Sequence, residues 1–173
     1  GSNSNMGITS HPPMKTIGET GDPSKAYEVG KTLAKDLSAL GFNVDFAPVA
    51  DVKTDAENKL LGDRSFGSEA AGVAAHVGAM VKGMEESGVS AAVKSFPGIG
   101  SANKDPEDGL AITERTLEEM QASEFVSFQG AINENADFIM VSNVAAPNLV
   151  SGEYIPCCLS KDVVDKILRD QLG

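Results

Sequence analysis

Two loop stretches carry the side chains best suited to binding a polar ligand. In Ala91–Gly100 an apolar run leads to Lys94, and a proline and two glycines then interrupt regular structure. Side chains at the carboxyl ends of parallel strands converge on one face, so Lys94 and the loop after it are candidates for a binding site. The alternative interpretation of Lys94 is a solvated strand end. A second stretch, Leu61–Gly67, favours the binding interpretation.

Metal chemistry is not indicated by the acidic or sulfur-bearing side chains. Asp55, Glu57 and Asp63 share one long loop, but they lack the regular ligand spacing of a calcium loop. Cys157 and Cys158 are adjacent, which suits neither a typical disulfide framework nor a zinc site. We therefore predict no metal and no cofactor, a solvated loop for the carboxylates, and a packing role for both cysteines.

Alternating helices and strands must position these loops. Helical spacing of apolar residues, capping residues and stop signals predict four helices, and short β-prone runs predict three strands between them. The strands are expected at Val44–Val49, Val89–Lys94 and Phe138–Ser142, and the helices at Pro23–Leu40, from Ser68 to Gly88, from Thr116 onwards and after Ser160. This order implies right-handed crossovers and a parallel sheet with its long loops on one face.

Three strands cannot close a barrel. A complete eight-stranded α/β barrel needs about 250 residues, whereas this chain has 173. The sequence is therefore either a small three-layer α/β domain or a piece of a larger barrel, and its ends favour the second. We predict an α/β fold made of parallel βα units from part of a TIM-type (β/α)8 barrel. Residues 1–6 look like a vector-derived remnant, which leaves residues 7–173 as one partial domain.

The composition excludes some partners. The net charge of −11 and the pI of about 4.5 argue against nucleic acid and anionic membrane surfaces, because both attract clustered lysine and arginine. No apolar run approaches the roughly 20 residues of a membrane span. We expect a soluble chain, cytoplasmic or secreted, whose open sheet edges lead it to self-associate.

Five motifs occur in an order typical of one enzyme family. They are Asn43–Asp51, Gly62–Gly67, Lys94–Gly100, Ile139–Asn143 and Leu168–Gly173. Together they resemble the N-terminal catalytic barrel domain of glycoside hydrolase family 3, and most nearly the bacterial β-N-acetylglucosaminidases of that family. The resemblance covers nearly the whole chain. It implies that residues 7–173 are part of such a domain, with a carbohydrate substrate.

The resemblance implies roles for four residues. Asp51 matches an aspartate that hydrogen-bonds sugar hydroxyls at the non-reducing end. Arg64 matches an arginine that orients the sugar or its loop, and Lys94 a lysine that contacts hydroxyls of the same ring. Asn143 stands where the family has a sugar-facing histidine. The alternatives are a solvated aspartate, a loop-stapling arginine and a strand-end lysine.

The sequence also departs from the family pattern. Ser95 and Ile99 replace both histidines of Lys-His-Phe-Pro-Gly-His-Gly. Where the family has Asp-Ser-His, with the histidine as general acid/base, this chain has Asp-Pro-Glu ending at Glu107. A glutamate can transfer protons if burial or a neighbouring charge raises its pKa, so Glu107 is the candidate replacement. The alternative is a solvated acidic loop. His76 is expected to be a surface or packing residue of a helix.

The catalytic nucleophile is expected to lie outside the chain. Retaining glycosidases need two carboxyl groups, and in this family the nucleophile follows Leu-Arg-x-x-Leu-Gly, the motif that ends at Gly173. We therefore expect an inactive fragment of a retaining enzyme that hydrolyses terminal β-linked N-acetylglucosamine or glucose. The alternative is a non-catalytic relative that binds sugar or is structural. An unrelated small α/β fold is a third interpretation, against which the five ordered motifs argue.

Overall fold

Helices and strands alternate along the chain in a computed structural model that describes residues 7–102, 104–105, 108–150, 152 and 154–173. Glu107 and residues 1–6 lie outside the described residues. The elements, in chain order, are α1 Met14–Gly18, α2 Pro23–Ala39, β1 Val44–Asp45, α3 Ala70–Glu85, β2 Ser90–Phe96, α4 Leu117–Gln121, α5 Glu124–Asn133, β3 Phe138–Val141, a 3-10 turn at Cys157–Leu159 and a π-type helix, α6, at Asp162–Leu172.

The three strands form one parallel sheet with β2 in the middle. Val44 pairs with Ser90 in β2, and on the other side of β2 Val93 pairs with Ile139. The parallel α/β architecture predicted from the sequence is therefore confirmed. The first strand is shorter than predicted: the ladder is interrupted from Phe46 to Pro48, and Pro48 has no N–H to donate. Pairing resumes beyond it, where the Ala50 amide donates to the carbonyl of Lys94 at 2.6 Å.

Local capping signals account for the starts of two helices. The Asp22 carboxylate accepts the Ser24 amide at 3.1 Å and caps α2. Thr116 and Glu119 form a complete capping box at the start of α4. At α3 the sequence prediction was wrong by one residue, since the cap is Glu69 and not Ser68. The Glu69 carboxylate accepts hydrogen bonds from the second and third amides of the helix.

Helix α3 packs against α2 on one side and α5 on the other through direct backbone contact. A Cβ added at Gly83 would lie 2.3 Å from the carbonyl oxygen of Tyr27 in α2. A Cβ at Gly30 would lie equally close to the Met80 carbonyl, and one at Gly130 of α5 would lie 2.5 Å from that of Ala74. Only glycine permits these approaches, so the three helices form one closely packed layer.

His76 belongs to this packed layer. It is buried in α3, its Nδ1 lies 2.8 Å from the Gly72 carbonyl, and its ring lies 5.4 Å from that of Phe66. Of the two roles expected for His76, packing is therefore the one that the structure shows. No helix in the described part of the chain is long and apolar enough to cross a membrane.

The outer edges of β1 and β3 have no strand partner among the described residues, and each carries an exposed phenylalanine. Phe46 follows β1 with 62% of its surface exposed, and Phe138 begins β3 with 51% exposed. Open strand edges with apolar neighbours favour pairing with another copy. We therefore expect the sedimentation coefficient of the chain to rise with concentration, as it does for a reversible dimer.

A charge at one edge should weaken that association. Phe138→Lys is expected to shift the sedimentation profile towards monomer, because a charged edge strand disfavours strand pairing. Tyr154→Lys is the matched control, since Tyr154 is 58% exposed and lies outside the strands. A wild-type chain that sediments as a monomer at every concentration would contradict this expectation.

Candidate functional site

The candidate site is built at the carboxyl ends of the three strands. The segment after β1 contains Asp51, and β3 leads into Asn143. We call residues 95–100 the β2 loop; they comprise the last two residues of β2 and the four that follow it. Parallel pairing places all three ends at the same edge of the sheet. The sheet thereby brings together three of the motifs that the sequence singled out.

Asp51 is fully buried, and both of its carboxylate oxygens are occupied. One oxygen accepts the Ser95 amide at 3.1 Å and the other accepts the Ile99 amide at 2.8 Å. Burial raises the pKa of the Asp51 carboxyl to about 6, although both hydrogen bonds and the charge of Arg64 act in the opposite direction. Sugar binding by Asp51 stays a prediction, and the geometry of the carboxylate favours a role in holding the β2 loop.

The β2 loop rests directly on its neighbours. A Cβ at Gly100 would lie 1.8 Å from the Val52 carbonyl oxygen, so the loop lies against the backbone that follows β1. A Cβ at Gly98 would lie 2.7 Å from Cγ of Glu124, which is the first residue of α5. The loop is therefore supported from two sides by glycine contacts.

Glu124 is itself a buried charge with a well-matched partner. Its two oxygens accept hydrogen bonds from Nε and Nη2 of Arg115, at 3.2 and 3.1 Å. Only 1% of the Glu124 side chain is exposed, against 24% for Arg115. This two-point pairing satisfies the carboxylate, which would otherwise be costly to bury beneath the loop.

Lys94 lies in the central strand and is half-buried. Its charge reaches Asp45 in β1, where burial raises the pKa of the Asp45 carboxyl and the Lys94 ammonium partly offsets that rise. Lys94 pairs with Met140 in β3 and is bridged to Val49 on the other side. The backbone of Lys94 is thus paired on both sides. This pairing fixes the position from which its side chain extends, near the carboxyl end of β2.

Arg64 is exposed and anchored to its own loop. Its guanidinium donates to the carbonyls of Leu60 and Leu61. These bonds staple the loop, which is the role that the sequence offered as the alternative to sugar binding. Arg64 also lines a cavity of about 400 Å³ beside the end of β1, together with His11, Met14, Val49 and other residues of that region. A guanidinium carries five N–H donors, so donors remain for a ligand in the cavity.

Asn143 is exposed after β3 and accepts a hydrogen bond from the Cys158 thiol at 3.0 Å. The packing prediction for the cysteines is right for Cys157, which is buried and whose thiol pKa is raised to about 12 by burial. It is wrong for Cys158, which the 3-10 turn leaves exposed. Since Cys158 neighbours Asn143, it belongs to the same face as the candidate site.

Two further expectations concern the acid/base residue and metal binding. Glu107 lies outside the described residues, so its role stays a prediction. Within the described ranges, no group of histidine, cysteine, aspartate and glutamate side chains is placed to hold a metal ion.

The whole chain, residues 1–173, matches the family described as the glycosyl hydrolase family 3 N terminal domain. The chain belongs to glycosyl hydrolase family 3. A beta-hexosaminidase of Stenotrophomonas maltophilia is 33% identical to this family 3 chain in an alignment 173 positions long, which covers 96% of the chain and 50% of that relative. The chain therefore spans about half the length of the curated relatives it matches.

Solved structures of the family share the same path of the chain. A family 3 beta-N-acetylglucosaminidase from Paenibacillus is 34% identical and superposes with a TM-score of 0.92, over 96% of this chain and 32% of that one. Native NagZ from Neisseria gonorrhoeae is 30% identical with a TM-score of 0.87, over 96% of this chain and 49% of that one. The resemblance inferred from the five motifs is thus confirmed.

Sequence reasoning missed three charged residues around the candidate site. Asp45 was treated only as a strand residue, although a carboxylate inside a short apolar run signals a polar face. Arg115 and Glu124 were not considered, because residues 9 apart that flank a short helix give no periodic signal of contact. Only the break between α4 and α5 brings this pair together beneath the β2 loop.

Proposed function

We propose that this chain is part of a retaining family 3 glycosidase that removes terminal β-linked N-acetylglucosamine or glucose. Family membership over residues 1–173 is the observation that carries the proposal. Similar proteins are named beta-hexosaminidase and beta-N-acetylglucosaminidase, which favours N-acetylglucosamine over glucose. The half-buried Lys94 beside a firmly held loop supports a site for a neutral polar ligand.

Three side chains are proposed to contact the sugar. The Lys94 ammonium and the remaining Arg64 donors would hydrogen-bond ring hydroxyls, and the Asn143 amide can both donate and accept. Glu107 is proposed to protonate the leaving oxygen and later to activate water. The nucleophilic carboxylate that forms the glycosyl-enzyme bond would come from outside this chain.

The replaced histidines favour a second candidate, a non-catalytic sugar-binding or structural relative. Ile99 stands where the family motif has a histidine, and its side chain is 92% buried and apolar. An isoleucine there can neither donate nor accept a hydrogen bond. If Glu107 does not replace the lost acid/base, the site would keep its shape and bind sugar without cleaving it.

Lys94→Met tests the sugar site in the chain itself. We expect N-acetylglucosamine to give a saturable signal in ligand-observed NMR with the wild-type chain and to bind about 10-fold or more weakly to the variant, since a charge-assisted hydrogen bond is lost. Methionine keeps the apolar stem of the side chain. Lys166→Met is the control, because Lys166 is 68% exposed on α6.

The results separate the proposals. Absence of saturable binding to the wild-type chain would refute sugar binding by this chain, and equal affinities of wild type and Lys94→Met would refute the role of Lys94. Cleavage of a chromogenic N-acetyl-β-glucosaminide by a polypeptide extended to the length of its relatives would favour the glycosidase. Binding without cleavage by the extended polypeptide would favour the non-catalytic relative.

A further inference from the structure

The carboxylate of Asp51 faces backbone amides on both of its oxygens and has no exposed surface. Each oxygen keeps a second lone pair, but the carboxylate has no surface that a sugar hydroxyl could reach unless the β2 loop moved. Moving the loop away from Asp51 would leave a buried N–H unpaired, which is costly. The occupied, buried carboxylate is therefore better suited to shaping the protein than to contacting a ligand.

The two amides belong to opposite ends of the β2 loop. By accepting both, Asp51 ties the segment that follows β1 to each end of that loop. Two further bonds hold the same loop: Asn58 Nδ2 donates to the Ile99 carbonyl at 2.9 Å, and the Ser142 amide donates to the Phe96 carbonyl at 2.7 Å. The loop is thus fixed from the segments that follow β1 and β3.

We propose that Asp51 is a positioning residue that holds the β2 loop, and with it the start of the sugar site beside Lys94, in one shape. Its relevance to ligand binding rests on the proposed sugar-binding function, whereas its hold on the loop does not. A carboxylate suits this role because it offers two acceptor oxygens and no donor. An asparagine of the same size would direct its NH2 group at one of the two amides.

Proton binding to Asp51 should loosen this hold. A protonated oxygen that carries its own hydrogen is a poor acceptor for a backbone N–H, and the pKa of about 6 places the change within reach of experiment. Four charged side chains lie around the loop. The charge of Arg64 lowers the pKa of Asp51, Lys94 precedes the loop, and Glu124 lies under Gly98, paired with Arg115. Asp51 itself accepts both loop amides.

The loosening is local and does not unfold the protein. The Asp51 pKa is higher in the folded chain than the ordinary value of 3.8 expected for the unfolded chain. The folded state therefore binds more protons between pH 3.8 and about 6, and the contribution of Asp51 to stability grows as the pH falls through that window. Loop order and global stability should consequently respond to acid in opposite directions.

Amide NMR of the 15N-labelled chain tests the proposal. In the wild type we expect the Ser95 and Ile99 amide shifts to titrate together with one midpoint near pH 6, with protection from hydrogen exchange at these two amides falling below it. In Asp51→Asn the midpoint should vanish, and their protection at pH 7 should fall about 10-fold or more. Asp63→Asn is the control, because Asp63 is 67% exposed, and it should leave both amides unchanged.

Sugar titration separates this proposal from the proposed function. Loss of N-acetylglucosamine binding in Asp51→Asn, with both loop amides unchanged, would make Asp51 a sugar ligand and overturn the proposal. If the two loop amides lose protection in Asp51→Asn and the wild type binds no sugar, the positioning role would be supported and the sugar-binding function refuted. If Asp51→Asn does not fold, the wild type still decides: Ser95 and Ile99 amides that exchange as fast as unprotected amides at pH 7 would overturn the proposal.

Discussion

Replacing Arg115 by methionine is expected to lower the free energy of unfolding by about 3–5 kcal/mol, because it leaves a buried carboxylate without its counter-charge. Glu124 is 1% exposed, and both of its oxygens are satisfied by Arg115. Methionine matches the length of the arginine stem and removes only its charged end. Urea unfolding at pH 7, followed by circular dichroism, measures the loss.

An exposed ion pair gives the control for this change. Arg169→Met breaks the contact of Arg169 with Asp165, but Arg169 is 73% exposed, so we expect a loss of at most about 1 kcal/mol. The double variant Arg115→Met with Glu124→Leu should regain at least half of the lost stability, because an apolar pair needs no counter-charge. Equal losses for Arg115→Met and Arg169→Met would contradict the argument.

The second large effect is expected from Gly83→Ala in α3. The added methyl group would lie 2.3 Å from the Tyr27 carbonyl oxygen and 2.9 Å from the Lys31 amide nitrogen, and both are backbone atoms of α2. Because backbone cannot rotate away as a side chain can, the two helices must move apart. We expect a loss of about 3 kcal/mol or more in the free energy of unfolding, at the upper end of overpacking costs.

Gly72→Ala is the matched control in the same helix. Its new Cβ would lie 3.2 Å from the Glu69 carboxylate that caps α3, and this side-chain end needs to shift by only a few tenths of an ångström while it keeps its amide partners. Alanine is the better helix former, so this variant should be unchanged or more stable by up to about 1 kcal/mol. Thermal unfolding of both variants checks the pair, and a Gly83→Ala chain as stable as Gly72→Ala would refute the close packing of α2 and α3.

The sequence predicts best those parts of the fold that depend on neighbours in the chain. Asp22 followed by proline, and Thr116 followed by glutamate, mark helix starts because capping is a contact within three residues. The order of helices and strands likewise implies a parallel sheet without any knowledge of side-chain contacts. These features could be predicted from the local spacing of residues alone, and the structure contains them.

The candidate site depends on contacts between distant segments, and sequence reasoning reached it only in part. Lys94 was located correctly at the end of the central strand, since strand and loop signals adjoin there. The burial of Asp51 could not be predicted, because its partners Ser95 and Ile99 are 44 and 48 residues away. A motif match assigned Asp51 to the ligand, whereas three-dimensional distances assign both of its oxygens to the backbone.

The glycines of α3 restrict where the chain can change in length. An α-helix turns by about 100° for each residue, so one inserted residue between Gly78 and Gly83 would rotate one contact surface relative to the other. Gly83 would then no longer face Tyr27 while Gly78 still faced Gly130. Insertions and deletions should therefore be excluded from the middle of α3 and tolerated in the long loops after β1 and β3. A deep insertion scan selected for folding should show a gap that spans this helix.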